Sequence, residues 1–165
     1  MKVLVTYISW TGNTKKVAEA IFQEIQGEKE LKEFKEVSSF KDYGLIFVGF
    51  PMRGFGKPPV EAEDFLKKCC LGKKIALFIT HGAPEDSPFI ADWLENCKKA
   101  CLGAEFLGIF NCQGQMAQEE LDKMLNNPDP EWQKRGQNIS RAKGFPDTSR
   151  LALAHAFAKE IMLKL

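Results

Sequence analysis

The 165-residue sequence predicts an α/β fold: a doubly wound, five-stranded parallel sheet with helices on both faces. Three observations predict it. Unbroken apolar runs at residues 44–50 and 75–79 suit strands buried on both sides. Segments with apolar residues at helical spacing alternate with these runs. The turn after residues 1–8 is polar and glycine-containing, as a strand-to-helix turn in such a sheet requires.

Each element follows in order. Residues 1–8 hold Val3, Leu4, Val5 and Ile8 and form the first strand. Residues 14–26 form a helix, with Val17, Ala18, Ile21, Phe22 and Ile25 on one side. A charged stretch at 27–32 leads to a short second strand at 33–37 and a single turn at 38–43. Residues 44–50 are the third strand. Pro58 and Pro59 are tolerated at the start of a helix over 58–70, which turns Phe65 and Leu66 inward. Residues 74–80 are the fourth strand. Ser87 caps a helix that begins at Pro88 and carries Ile90, Trp93, Leu94, Cys97 and Cys101 inward. Residues 104–112 form the fifth strand. A closing helix spans 147–163, with Leu151, Ala154, Phe157, Ala158 and Ile161 as its apolar stripe.

Length and composition fit one domain, residues 1–165, with 44% apolar and 27% charged residues. No apolar run approaches the roughly 20 residues needed to span a bilayer. The amino terminus reads as a strand and not as a signal segment, so a soluble, cytoplasmic protein without membrane insertion is expected. Five cysteines suit a reducing compartment, where they stay thiols and pack as small apolar groups. Two histidines, His81 and His155, provide no zinc spacing. A net charge of +1 offers no basic field for nucleic acid.

The chemistry concentrates in Ser9-Trp10-Thr11-Gly12-Asn13-Thr14. Ser9, Thr11 and Thr14 bring hydroxyl donors, and Gly12 allows close backbone approach. The free N–H groups and positive dipole end of the following helix converge there, so the turn can hold a phosphate without a metal. Thr11, Asn13 or Thr14 can equally cap the helix. The sequence lacks G-x-x-x-x-G-K-[ST], lacks a G-x-G-x-x-G after a strand and lacks a C-x5-R loop after strand one. Nucleoside-triphosphate, dinucleotide and cysteine-phosphatase loops are thereby disfavoured.

Taken whole, Tyr7-Ile8-Ser9-Trp10-Thr11-Gly12-Asn13-Thr14 resembles the FMN-phosphate loop of the flavodoxin family. The family's fixed aromatic, Ser/Thr, Gly and Thr fall at Tyr7, Ser9, Gly12 and Thr14. Thr6 departs from the apolar residue usual there. The resemblance implies a flavodoxin-like strand order of 2-1-3-4-5 and FMN as cofactor. Ligands in such sheets sit beyond the carboxyl ends of the strands, so the loops after strands three and four should flank the flavin ring. Pro51, Met52, Arg53, Gly54, Phe55 and Gly56 make up the first; Thr80, His81, Gly82 and Ala83 make up the second.

Within these loops the resemblance assigns roles. Phe55, Met52 or Trp10 would cover the ring, replacing the Trp and Tyr that flavodoxins commonly stack there. Arg53 would offset negative charge on reduced flavin, unless it is simply solvated. His81 either approaches the ring edge or is an exposed turn histidine. Gly54 or Gly56 would supply the peptide that turns over to meet the ring. Residues 115–143 look like an insertion after strand five, with a short helix at 118–125 broken by Asn126-Asn127-Pro128-Asp129-Pro130 and with Trp132 to pin it. It reads as a docking surface or partial lid, or as packing filler.

No residue reads as a committed nucleophile or general base. The expected function is therefore electron transfer, one or two electrons at a time, between redox partner proteins: a reductase and an acceptor. The alternative is an FMN-dependent NAD(P)H:quinone or small-acceptor oxidoreductase. The near-neutral charge departs from the strongly acidic surfaces typical of flavodoxins, which weakens long-range steering to a basic partner. A flavin-free signalling module is the third possibility, although a phosphorylation receiver would want acidic residues where Ser9 and Trp10 stand.

Overall fold

The computed structural model describes residues 1–52 and 56–165. Arg53, Gly54 and Phe55, three of the expected ring-flanking residues, lie outside the described residues.

Five parallel strands form one sheet: β1 (Lys2–Tyr7), β2 (Lys29–Glu33), β3 (Tyr43–Met52), β4 (Lys74–His81) and β5 (Glu105–Gln113). Their order is β2-β1-β3-β4-β5, the expected one. Helices α1 (Asn13–Glu24) and α6 (Thr148–Leu163) cover one face, where Val5, Phe47 and Phe78 meet Val17, Ile21, Ala154, Ala158 and Ile161. Helices α2 (Val60–Cys69) and α3 (Ile90–Lys99) cover the other, where Ile46, Val48, Leu77 and Ile79 meet Phe65, Leu66 and Cys97. Among the described residues, no helix is long and apolar enough to cross a membrane.

Several elements differ from expectation for identifiable reasons. The second strand lies at Lys29–Glu33, not at 33–37. Its register is set by β1, with Val3 opposite Lys29 and Tyr7 opposite Glu33. As an edge strand it tolerates the charged sequence KELKE. Phe34, which suggested a strand, instead begins a 3-10 turn and stacks on Phe65 with ring centroids 4.0 Å apart. Helix α1 stops at Glu24, two residues early, and the Lys29 ammonium donates to the Phe22 and Ile25 carbonyls at 2.7 Å each. That cation at the negative end of the helix closes it.

Helix α3 begins at Ile90 instead of Pro88, and no side chain caps it. Ser87 is spent on a preceding turn, its N–H donating to the Pro84 carbonyl at 3.0 Å. Strand β3 runs on through Pro51 and Met52, and β4 through His81, so these three are strand residues and not loop residues. Pro51 is tolerated inside a sheet because β1 gives out beside it. The last bond from β1's side is Ile8 N–H to the Gly49 carbonyl, 3.0 Å. Pro51 faces the same side as Gly49, beyond that bond, where a missing N–H loses no partner.

The excursion after β5 folds as two helices, α4 (Gln118–Leu125) and α5 (Pro130–Ser140). The first matches the expected boundaries. The second begins where a break alone was expected: the Asp129 side chain accepts from the Glu131 N–H at 2.9 Å, with Pro130 in the first turn. All five thiols are buried, and burial pushes Cys97 and Cys112 up to about 12.

Candidate functional site

A cleft of about 690 Å³ opens at the carboxyl ends of the strands. Its floor comes from the sheet. Met52 and His81, paired across β3 and β4, are 6% and 4% exposed at its base. Of the residues expected at the site, Trp10, Thr11, Asn13, Pro51, Met52, Thr80, His81, Gly82 and Ala83 line this cleft together. Ser9, Gly12 and Thr14 sit just behind it in the turn and first helical residues after β1. Gly56 packs away from it: its carbonyl accepts from Asn96 Nδ2 at 2.7 Å, and a Cβ there would lie 2.9 Å from Trp93 Cδ1.

The turn after β1 has the geometry an anion needs. Gly12 takes the N-cap position of α1 at φ 86°, and no side chain caps the helix. Thr11, Asn13 and Thr14 were the alternative caps, and none of them caps the helix. The Asn13 amide donates to the Gln115 carbonyl at 2.8 Å. The Thr14 and Thr80 hydroxyls bond each other at 2.8 Å inside the protein. Ser9 Oγ accepts from the Lys15 N–H at 3.3 Å. The first turn of α1 holds no acidic residue and is followed by Lys15 and Lys16, so the positive end of the dipole is unopposed.

His81 is not an exposed turn residue. Its two ring nitrogens meet the Ala83 carbonyl and Asn111 Oδ1, each at 3.0 Å, and Trp93 meets its ring edge-on at a centroid distance of 6.3 Å. The histidine thus fixes the turn after β4 onto β5. Trp93, expected as a core residue of its helix, is half-buried against that core and also lines the cleft.

Sequence reasoning overlooked the loop after β5. Gly114 N–H donates to the His81 carbonyl at 2.8 Å, and the Gln113 side chain donates to the Gly82 carbonyl at 3.0 Å. A side chain at 114 would collide with Asn13, whose Nδ2 would lie 2.5 Å from its Cβ. Glu85, in the turn after β4, is held bidentately by the Arg150 guanidinium at 2.7 and 2.9 Å. Arg150 also donates to Asp147 at 3.1 Å and lies 3.5 Å from the Phe145 ring centroid. The rule that ligands sit beyond strand ends applies to β5 as much as to β3 and β4, and it was the available signal.

The far wall of the cleft comes from α4, α5 and the segment before them, through Met116, Met124, Trp132, Arg135 and Ile139. A small apolar cleft beside an uncapped helix amino terminus can hold a flat ring attached to a phosphate.

A family model for the flavodoxin domain matches residues 4–159. The chain is 34% identical over 174 aligned residues to the flavodoxin-like domain-containing protein BilS of Clostridioides difficile (strain CD3), covering 99% of this chain and 98% of that protein. Among solved structures, oxidised Flavodoxin 2 from Bacillus cereus matches 100% of both chains with a TM-score of 0.66 at 20% identity. A flavoprotein in complex with FMN from Lactobacillus acidophilus NCFM matches 74% of this chain and 97% of its own, with a TM-score of 0.54 at 22% identity. The fold is shared with both. The chain belongs to the flavodoxin family.

Proposed function

We propose that this protein binds FMN and transfers electrons, one or two at a time, between redox partner proteins. The observation that carries the reading is the start of α1 behind Gly12, where Ser9 Oγ takes the Lys15 N–H and the N–H groups ahead of it and the dipole are left for a phosphate. Ser9 and Thr14 stand beside that position, and Trp10, Met52 and the Thr80–Ala83 turn line the adjoining cleft. When bound, FMN supplies one- and two-electron transfer. The protein's part is to hold the phosphate, to shield the ring and to fix the turn after β4 through His81 and Glu85.

Titrating FMN into the apoprotein, followed by quenching of flavin fluorescence, tests the reading. Saturable 1:1 binding that Gly12→Val weakens strongly is the expected outcome. Absence of binding overturns it.

One observation favours a second reading, an FMN-dependent NAD(P)H:quinone or small-acceptor oxidoreductase. The α4–α5 pair lines the cleft together with the strand ends, narrowing it to a pocket suited to a small molecule. Mixing the FMN-loaded protein with NADPH separates the two: a carrier oxidises NADPH negligibly without a reductase, whereas the enzyme consumes it steadily.

A further inference from the structure

The cleft has two chemically different ends. One is built from the strand ends and the turn after β1. The other is built from the excursion after β5, whose helices α4 and α5 contribute no residue to the turn after β1 or to the sheet. At that second end Met116, Met124 and Ile139 present apolar surface. Trp132 is 45% exposed, a large ring to leave open to solvent. The Arg135 guanidinium lies 5.8 Å from the Trp132 ring centroid, and among the described residues it has no ion pair. The one carboxylate on the same wall, Glu120, is 3.8 Å from the Lys123 ammonium, which also pairs with Glu119. A cation held over an indole, next to soft apolar side chains, matches a flat ring system that carries a negative charge.

We infer that the α4–α5 end of the cleft is a separate binding subsite for a small aromatic anion, which would lie beside the FMN and not in place of it. The inference rests on the FMN reading above. It deepens that reading by naming the class of small molecule that this wall receives: aromatic, planar and acidic. Met116 and Met124 suit such a role, because thioether side chains adapt to rings of different outline.

The test uses 1-anilinonaphthalene-8-sulfonate as probe, titrated calorimetrically into the FMN-loaded protein so that the flavin position is already filled. One site is expected. Trp132→Ala should weaken it about 10-fold by removing the stacking surface, and Arg135→Gln about 5-fold by removing the charge. N-phenyl-1-naphthylamine, which has the same rings without the sulfonate, should bind wild type and Arg135→Gln alike. The far-ultraviolet circular dichroism spectrum and urea midpoint of each variant should match those of wild type and so confirm that both variants fold. Unchanged sulfonate affinity in both variants, or no binding to the loaded protein, overturns the subsite while leaving the FMN reading intact. Failure of the apoprotein to bind FMN overturns both.

Discussion

The hydroxyls of Thr14 and Thr80 lie 2.8 Å apart with both residues almost wholly buried, joining the first turn of α1 to the last residues of β4. The bond ties the turn after β1 to the end of β4, two sides of the cleft.

Thr80→Val removes one partner and leaves the Thr14 hydroxyl buried alone. We expect a loss of about 1–2 kcal/mol of stability in urea denaturation. FMN affinity should fall about 3–10-fold, because Thr14 is then no longer held in place. Thr80→Ser, which keeps the hydroxyl, should restore most of both.

Gly54 and Gly56 separate by their expected responses. The Gly56 carbonyl is committed to Asn96, its φ is 66°, and a side chain there meets Trp93. Gly56→Ala should therefore cost about 1–3 kcal/mol of stability. Gly54→Val should shift the potentials of the FMN-loaded protein by more than about 30 mV, roughly 0.7 kcal/mol for one electron, in a potentiometric titration. Unmoved potentials would remove Gly54 from that role.

Thr6 is fully buried in β1, and its hydroxyl has no hydrogen-bond partner among the described residues. Thr6→Val keeps the shape and removes the unsatisfied group. An increase of about 0.5–1.5 kcal/mol in unfolding free energy is expected by chemical denaturation.

At the opposite end of the sheet, Glu30 is held by the ammonium groups of Lys2 and Lys32 and by the Tyr43 hydroxyl. The Lys2 and Lys32 bonds lead in drawing its carboxyl from the usual 4.5 down to about 2. A carboxyl lowered by folding adds stability that is present above its unfolded value and lost as pH falls through its folded one. Stability should therefore decline between about pH 4.5 and 2, and Glu30→Gln should flatten that part of the curve. An identical pH profile for the variant would refute the assignment.

The buried strands and the turn after β1 were legible because their signals are local: unbroken apolar runs, and a dense set of small polar residues ahead of a helical stripe. The edge strand was not. Its KELKE sequence pairs on one side only, so apolar content says little, and Phe34 drew the reading toward the wrong residues. Helix α5 was hidden because its sequence, PEWQKRGQNIS, carries only Trp132 and Ile139 as large apolar residues and so shows no apolar stripe. Its start signal, Asp129-Pro130, was legible but was taken only as the end of the helix before it. His81 shows a third limit. Its burial depends on Asn111, thirty residues away, and no spacing within its own strand reports that contact. The residues of the far wall are hidden in the same way, since Trp132 and Arg135 come to share a cleft with Met52 and Thr80 only through the folded chain.

The excursion after β5 leaves and rejoins the protein at nearly one point. Gln115 N–H donates to the Phe145 carbonyl at 2.9 Å, and the Gln115 side chain accepts from the Gly144 N–H at 2.7 Å. A segment stapled together at its base behaves as an exchangeable cassette: its contents can be lengthened, shortened or replaced with little loop-closure penalty and no change of strand register. Diversification of what the cleft admits can thus proceed in this appendage while the half built from the strand ends stays as it is.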